Sequence, residues 1–117
     1  MSDSTPQVKV IRAEDVVWEE IPPRPEENFP PGRQFAAASS PDGHFAVGYW
    51  EQDNLQRRME RPYHEIAYIL SGHVEIELDD GTVLVAGPGD ILDTPKGCTG
   101  YWRNLEPVRK VWAIYND

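Results

Sequence analysis

HEIAYILSG (His64–Gly72) and GPGDILDTPKGCTGYWRN (Gly87–Asn104) decide the fold of this chain. The first reads as an apolar strand with an acid at its start and a tight turn at its end. The second is a strand, a Pro/Gly turn and a second strand. Between them, Val74–Leu78 alternates, with Val74, Ile76 and Leu78 on one face and Glu75 and Glu77 on the other. A period of two means one buried face and one wet face. Asp79-Asp80-Gly81 is a hairpin loop with glycine where φ must be positive, and Thr82–Ala86 returns from it.

Outward from this centre the strand signals continue. Ser39–Gly43 is a turn, and His44–Glu51 is a strand rich in aromatics. Val108–Tyr115 closes the chain as another strand. Asp53–Pro62 is charged and has no strong period. No segment sustains a 3.6-residue period, so short strands at regular intervals predict an antiparallel sandwich or barrel.

The N-terminal third differs. Seven of the eleven prolines precede residue 42, and five fall within Ile21–Gly32. Proline fixes φ and removes a donor, so this stretch is expected to run extended over a surface. Val8, Val10, Ile11, Val16, Val17, Trp18, Ile21, Phe29 and Phe35 make it too apolar for a disordered tail. The expected organisation is an ordered arm over 1–34, packed on its own barrel or on a partner subunit, and a barrel over 35–117.

The 117 residues suit one domain with a real core. A net charge of −9 disfavours nucleic acid and anionic lipid as partners. No apolar run reaches the ~20 residues of a membrane span. MSDSTPQ lacks the basic and apolar regions of a signal peptide. The single cysteine, Cys98, rules out an internal disulfide and suits a reducing, cytoplasmic setting.

The spacings Glu65-x6-Gly72 and Gly89-x5-Pro95-x-Gly97-x2-Gly100-x3-Asn104 resemble the two cupin motifs. Gly48-Tyr49-Trp50, Glu65 to Gly72, Pro95 to Trp102 and Val108 to Lys110 are similar in wording to small cupins of the cupin_3 type. That group includes ureidoglycine aminohydrolase domains and ethanolamine-utilisation cupins. The resemblance covers about residues 44–115 and implies an all-β, single-domain cupin, a double-stranded β-helix or jelly-roll barrel. It also implies a divalent metal held by histidines and a glutamate, but only the glutamate position is filled, by Glu65. The first two histidine positions fall on Arg58 or Met59 and on Glu60 or Arg61, and the last falls on Gly100. No cofactor is therefore expected. A divalent metal would need non-standard ligands, such as Glu51 and Glu65 with one histidine.

If Glu65 faces inward, so do Ala67 and Ile69, and if Gly100 does, so does Trp102. Glycine at 100 is expected to open space above Trp102. The expected pocket is a candidate acid-base carboxylate, Glu65, in an aromatic wall drawn from Tyr49, Trp50, Tyr68, Tyr101, Trp102 and Trp112, with Glu51 opposite. A carboxylate in an apolar wall would have a raised pKa; one paired with Arg57, Arg58 or Arg61 would only fix its strand. Lys96 beside Cys98 would lower the thiol pKa, and Lys110 reads as a solvated charge. The expected function is binding of a small metabolite, polar or cationic, by a homodimer. The alternative is a metal-dependent enzyme of ureidoglycine aminohydrolase type. A third expectation places an assembly role in the arm, so that removing residues 1–32 would leave the pocket intact.

Overall fold

Inward and outward residues alternate along β5 (His64–Ser71): Glu65, Ala67 and Ile69 are buried, while Ile66, Tyr68 and Leu70 are exposed. The same alternation buries Val74 and Ile76 on β6 (Val74–Glu77), and Gly100, Trp102 and Asn104 on β9 (Thr99–Asn104). It also buries Val108 and Lys110 on β10 (Val108–Tyr115). The other strands are β1 (Glu19–Ile21), β2 (Gly32–Ser39), β3 (Phe45–Gln52), β4 (Gln56–Glu60), β7 (Val83–Ala86) and β8 (Ile91–Thr94). The computed structural model describes residues 5–27 and 29–117. The first four residues and Asn28 of the expected arm lie outside that range.

Every strand pairing is antiparallel. One sheet runs β1-β2-β3-β10-β5-β8 and the other runs β4-β9-β6-β7. Strands β3 to β10 form the two four-stranded layers of a jelly roll, and β1 and β2 extend the first layer. The apolar core lies between the layers and contains Leu55, Met59, Ile69, Val74, Ile76, Ala86, Trp102 and Val108. Ile69, Val74 and Val108 are the largest fully buried side chains, each worth about 1.5–3 kcal/mol of transfer from water.

Two segments depart from expectation. Within the charged run Asp53–Pro62, β4 pairs with β9 from Gln56↔Arg103 to Glu60↔Thr99. Only Met59 of β4 is buried, so the strand shows no apolar alternation and is held by its ladder. The Pro-rich stretch is not extended throughout. Pro25–Glu27 forms a 3-10 turn, closed by backbone hydrogen bonds between Arg24 and Phe29 at 2.8 and 3.0 Å. Proline's fixed φ fits the start of such a turn as well as an extended chain. Before the turn, β1 joins the edge of β2, so the arm is part of the first sheet.

Candidate functional site

A cavity of about 870 Å³ opens between the layers at the end reached by the arm. Its inner wall includes Trp50, Gln52, Leu55, Met59, Glu65, Trp102 and Lys110, with Trp112 and Ile114 beside them. Glu19, Ile21 and Phe29 bring the arm into the wall, and Arg57, Arg58 and Glu60 bring in β4.

The chemistry converges on Glu65. Lys110 Nζ donates to Glu65 Oε2 at 2.8 Å, with the two side chains only 7% and 6% exposed. In register, Lys110 lies opposite Ile69 and Glu65 opposite Ile114. The small Ala67 between them on the inward face leaves room for the two long side chains to meet. Arg61 Nη2 lies 3.5 Å from the same carboxylate oxygen, and Arg61 Nε donates to Thr94 Oγ1 at 3.1 Å. The Thr94 hydroxyl in turn donates to the Glu65 carbonyl at 2.9 Å, which ties β8 to β5 beneath the pair. The ammonium also sits between two rings, 4.6 Å from the Trp50 centroid and 4.7 Å from that of Trp102. Those rings meet edge to face at 6.3 Å. Burial pushes the Lys110 ammonium below its ordinary pKa, and the Glu65 carboxylate opposes that shift.

The tryptophans are anchored. Trp102 Nε1 donates to Asn104 Oδ1 at 2.7 Å, and Asn104 Nδ2 donates to the Gln52 carbonyl at 3.1 Å. Trp112 Nε1 donates to the Tyr49 carbonyl at 3.2 Å. The Trp112 ring lies across Gly48, where any Cβ would collide with it, so the glycine admits this residue to the wall.

Of the expected site residues, Glu65, Trp50, Trp102 and Trp112 meet at the cavity. Tyr49, Glu51, Tyr68 and Tyr101 fall on outward positions of their strands. Tyr49 packs against Trp18 of the arm at 6.3 Å. Tyr101 lies under Arg103, and Tyr68 is exposed. Glu51 accepts from Arg33 and from Arg109 Nε, and is not opposite Glu65. Burial works against its ionisation, but the two arginines outweigh burial and hold its carboxyl below the ordinary value.

Four further expectations change. Gly100 leaves no space over Trp102, because Ile76 and Leu78 close in on it. Burial raises the Cys98 thiol pKa and outweighs the opposing influence of Arg61. Lys110 is buried, not solvated, and the alternation Val108, Lys110, Trp112 was the available signal. Removing residues 1–32 would take away part of the cavity wall, since Glu19, Ile21 and Phe29 belong to it.

The residues present do not fit the divalent metal of the wider fold. Arg58 or Met59, Glu60 or Arg61, and Gly100 stand at the histidine positions and none is an imidazole, and Lys110 and Arg61 already face the Glu65 carboxylate. Among the described residues no three His, Cys, Asp or Glu side chains converge on one point. His64 pairs with Asp93, His73 with Glu106, and His44 with the Asn116 carbonyl. No helix among the described residues is long and apolar enough to cross a membrane.

Comparison with known proteins agrees with this architecture. A putative ethanolamine utilization protein from Salmonella typhimurium superposes with a TM-score of 0.74 at 23% identity, over 92% of this chain and 85% of the other. A DUF861 family protein from Thermotoga maritima is 36% identical over 57% of this chain and 76% of its own, with a TM-score of 0.55. The polyketide cyclase RemF from Streptomyces resistomycificus has a TM-score of 0.70 at 19% identity, over 95% of this chain and 81% of its own. No curated protein sequence matches. Residues 39–112 match the family described as EutQ-like cupin domain. With the jelly-roll topology, that match makes this chain a member of the EutQ-like group of the cupin superfamily.

Proposed function

We propose that this chain binds a small metabolite in the cavity between its sheets and does so without a resident metal. The observation that carries this reading is the Glu65–Lys110 pair, joined by Arg61 and walled by Trp50 and Trp102. A concave site with an aromatic lining and a few convergent polar groups is the usual form of a small-molecule site. Enzymes and binding modules share this fold, so the fold does not choose between them. The alternative, a metal-dependent aminohydrolase, would need non-standard ligands, since none of the histidine positions of the motifs carries a histidine.

A homodimer accompanies this reading. Phe45, Ile66, Tyr68, Leu70, Ile91 and Tyr115 are exposed on or beside the outer face of the first sheet. The edge strands β7 and β8 leave backbone groups unpaired. Light scattering on the purified chain tests it, and a monomer at all concentrations refutes it.

The binding reading is tested by elemental analysis of protein purified without chelator or affinity nickel. Thermal shifts with Mn, Fe, Ni and Zn, and then with a metabolite panel, follow. The expected result is no stoichiometric metal, no metal-dependent shift, and a metabolite that raises Tm and quenches tryptophan emission. About one metal per chain with a raised Tm would overturn the metal-free reading.

A further inference from the structure

The floor of the cavity carries a net positive charge although the chain as a whole is at −9. Glu65 and Lys110 together sum to zero whichever of them holds the shared proton, so Arg61 leaves the cluster at +1. Apart from its bonds to Thr94 and Glu65, the Arg61 side chain has no hydrogen-bond partner among the described residues. A guanidinium has five N–H donors in a planar fork, so this one keeps donors for a further acceptor. Its Cζ lies 5.7 Å from the Trp102 ring. Towards the rim, Arg57 lies over Phe29 at 5.4 Å and has no ion-pair partner among the described residues. Arg58 is neutralised by Asp79, and Glu19 and Glu60 are the acids at the mouth. The rest of the lining mixes apolar groups, among them Ile21, Phe29, Leu55, Met59, Trp102 and Ile114, with the uncharged polar side chains Gln34, Gln52 and Tyr63.

Resting on the binding reading above, we infer that the ligand is an organic monocarboxylate with an apolar body, its carboxylate on Arg61 and its body along Trp102 and Phe29. This reverses the cationic ligand that a lone acid among aromatics suggests. A cationic ligand would meet Arg61 and a carboxylate already held by Lys110 at 2.8 Å. A carboxylate meets a planar donor fork in a desolvated site, where charge-assisted hydrogen bonds are strongest.

The test compares three probes of equal shape and different charge, namely phenylpropionate, phenylpropionamide and phenylpropylamine. Binding is followed by tryptophan emission and by Tm on the intact chain. The anion is expected to bind at least about tenfold more tightly than the amide, and the amine more weakly than either. Tighter binding of the amine, or equal binding of anion and amide, overturns the carboxylate inference and leaves the binding reading standing. If none of the three binds and the metabolite panel also fails, both fall. Arg61→Gln, checked for folding by circular dichroism, is expected to abolish the preference for the anion. Arg103→Gln, outside the cavity and paired with Glu75, is expected to keep it. A folded Arg61→Gln protein that still prefers the anion overturns the assignment to Arg61. The probe comparison on the unaltered chain decides the charge question even if that variant fails to fold.

Discussion

The two ends of the interior are built on the same strands and obey opposite rules. At the closed end, β5 and β10 contribute Ile69 and Val108, which pack with Val74 and Ile76 in a dry core. Towards the cavity the same two strands contribute the ionisable Glu65 and Lys110, also buried. The closed end gains stability from every methylene it hides. The cavity end gives some of that stability up, because burying two charges costs several kcal/mol per ion and their attraction only partly offsets it. An interior that gives up stability at one end, beside an open cavity, is what the proposed binding role calls for.

That contrast can be broken most sharply at Lys110. Lys110→Met leaves Glu65 buried without its ammonium and is expected to destabilise the fold by about 3–5 kcal/mol in denaturant titration. The double change Lys110→Met with Glu65→Gln is expected to recover most of the loss. A neutral single variant would mean that the pair is not shut away from water. Next in size is Asn104→Ala, which strips the partner from the buried Trp102 indole and from the Gln52 carbonyl. It is expected to cost about 1–3 kcal/mol and to change the tryptophan emission, and unchanged emission would show that Trp102 needs no anchor. At the closed end, Ile69→Val is expected to cost only about 0.5–1.5 kcal/mol, with probe binding unaltered. Altered binding there would mean that the two ends are coupled.

The smallest effect lies outside both ends. Asp79 is held at a pKa of about 2, against an ordinary 3.8, by the Arg58 guanidinium and the Thr99 hydroxyl. A depressed folded-state pKa contributes stability above the unfolded value and loses it as pH falls through the folded one. Asp79→Asn is therefore expected to flatten the acid limb of the stability curve between pH 3.8 and about 2. An unchanged limb would show that the exposed pair contributes nothing measurable.

The fold was legible because its signals are local. Period-two alternation in β5 and β6 and the turn glycines after β5 and before β9 need only a few neighbouring residues to be seen. β4 was not legible, because a strand with one buried residue carries no pattern and is defined by its ladder to β9. The site was half legible. Alternation placed Glu65 and Trp102 inward, but deciding between Tyr49 and Trp50 needed the sheet's handedness towards the core. Lys110 was missed for a different reason. A lysine beside an arginine suggests solvent, although the alternation Val108, Lys110, Trp112 points it inward, and the buried carboxylate two inward positions along the neighbouring strand supplies its partner. The arginines followed the same logic, since their meaning depends on which acid each one meets.

The placement of β1 has a consequence for traffic through the molecule. This strand is three residues long, joined at the sheet edge by the register Glu19↔Gln34, Glu20↔Arg33 and Ile21↔Gly32. Yet Glu19 and Ile21 belong to the chamber wall. A short edge element is among the first parts of a protein to open transiently. Peeling it away would unroof the chamber from the side without disturbing the jelly roll. The residence time of the proposed ligand would then be tied to the fraying rate of one edge strand, and a ligand bridging from the deep wall to the arm would slow amide exchange at residues 19–21.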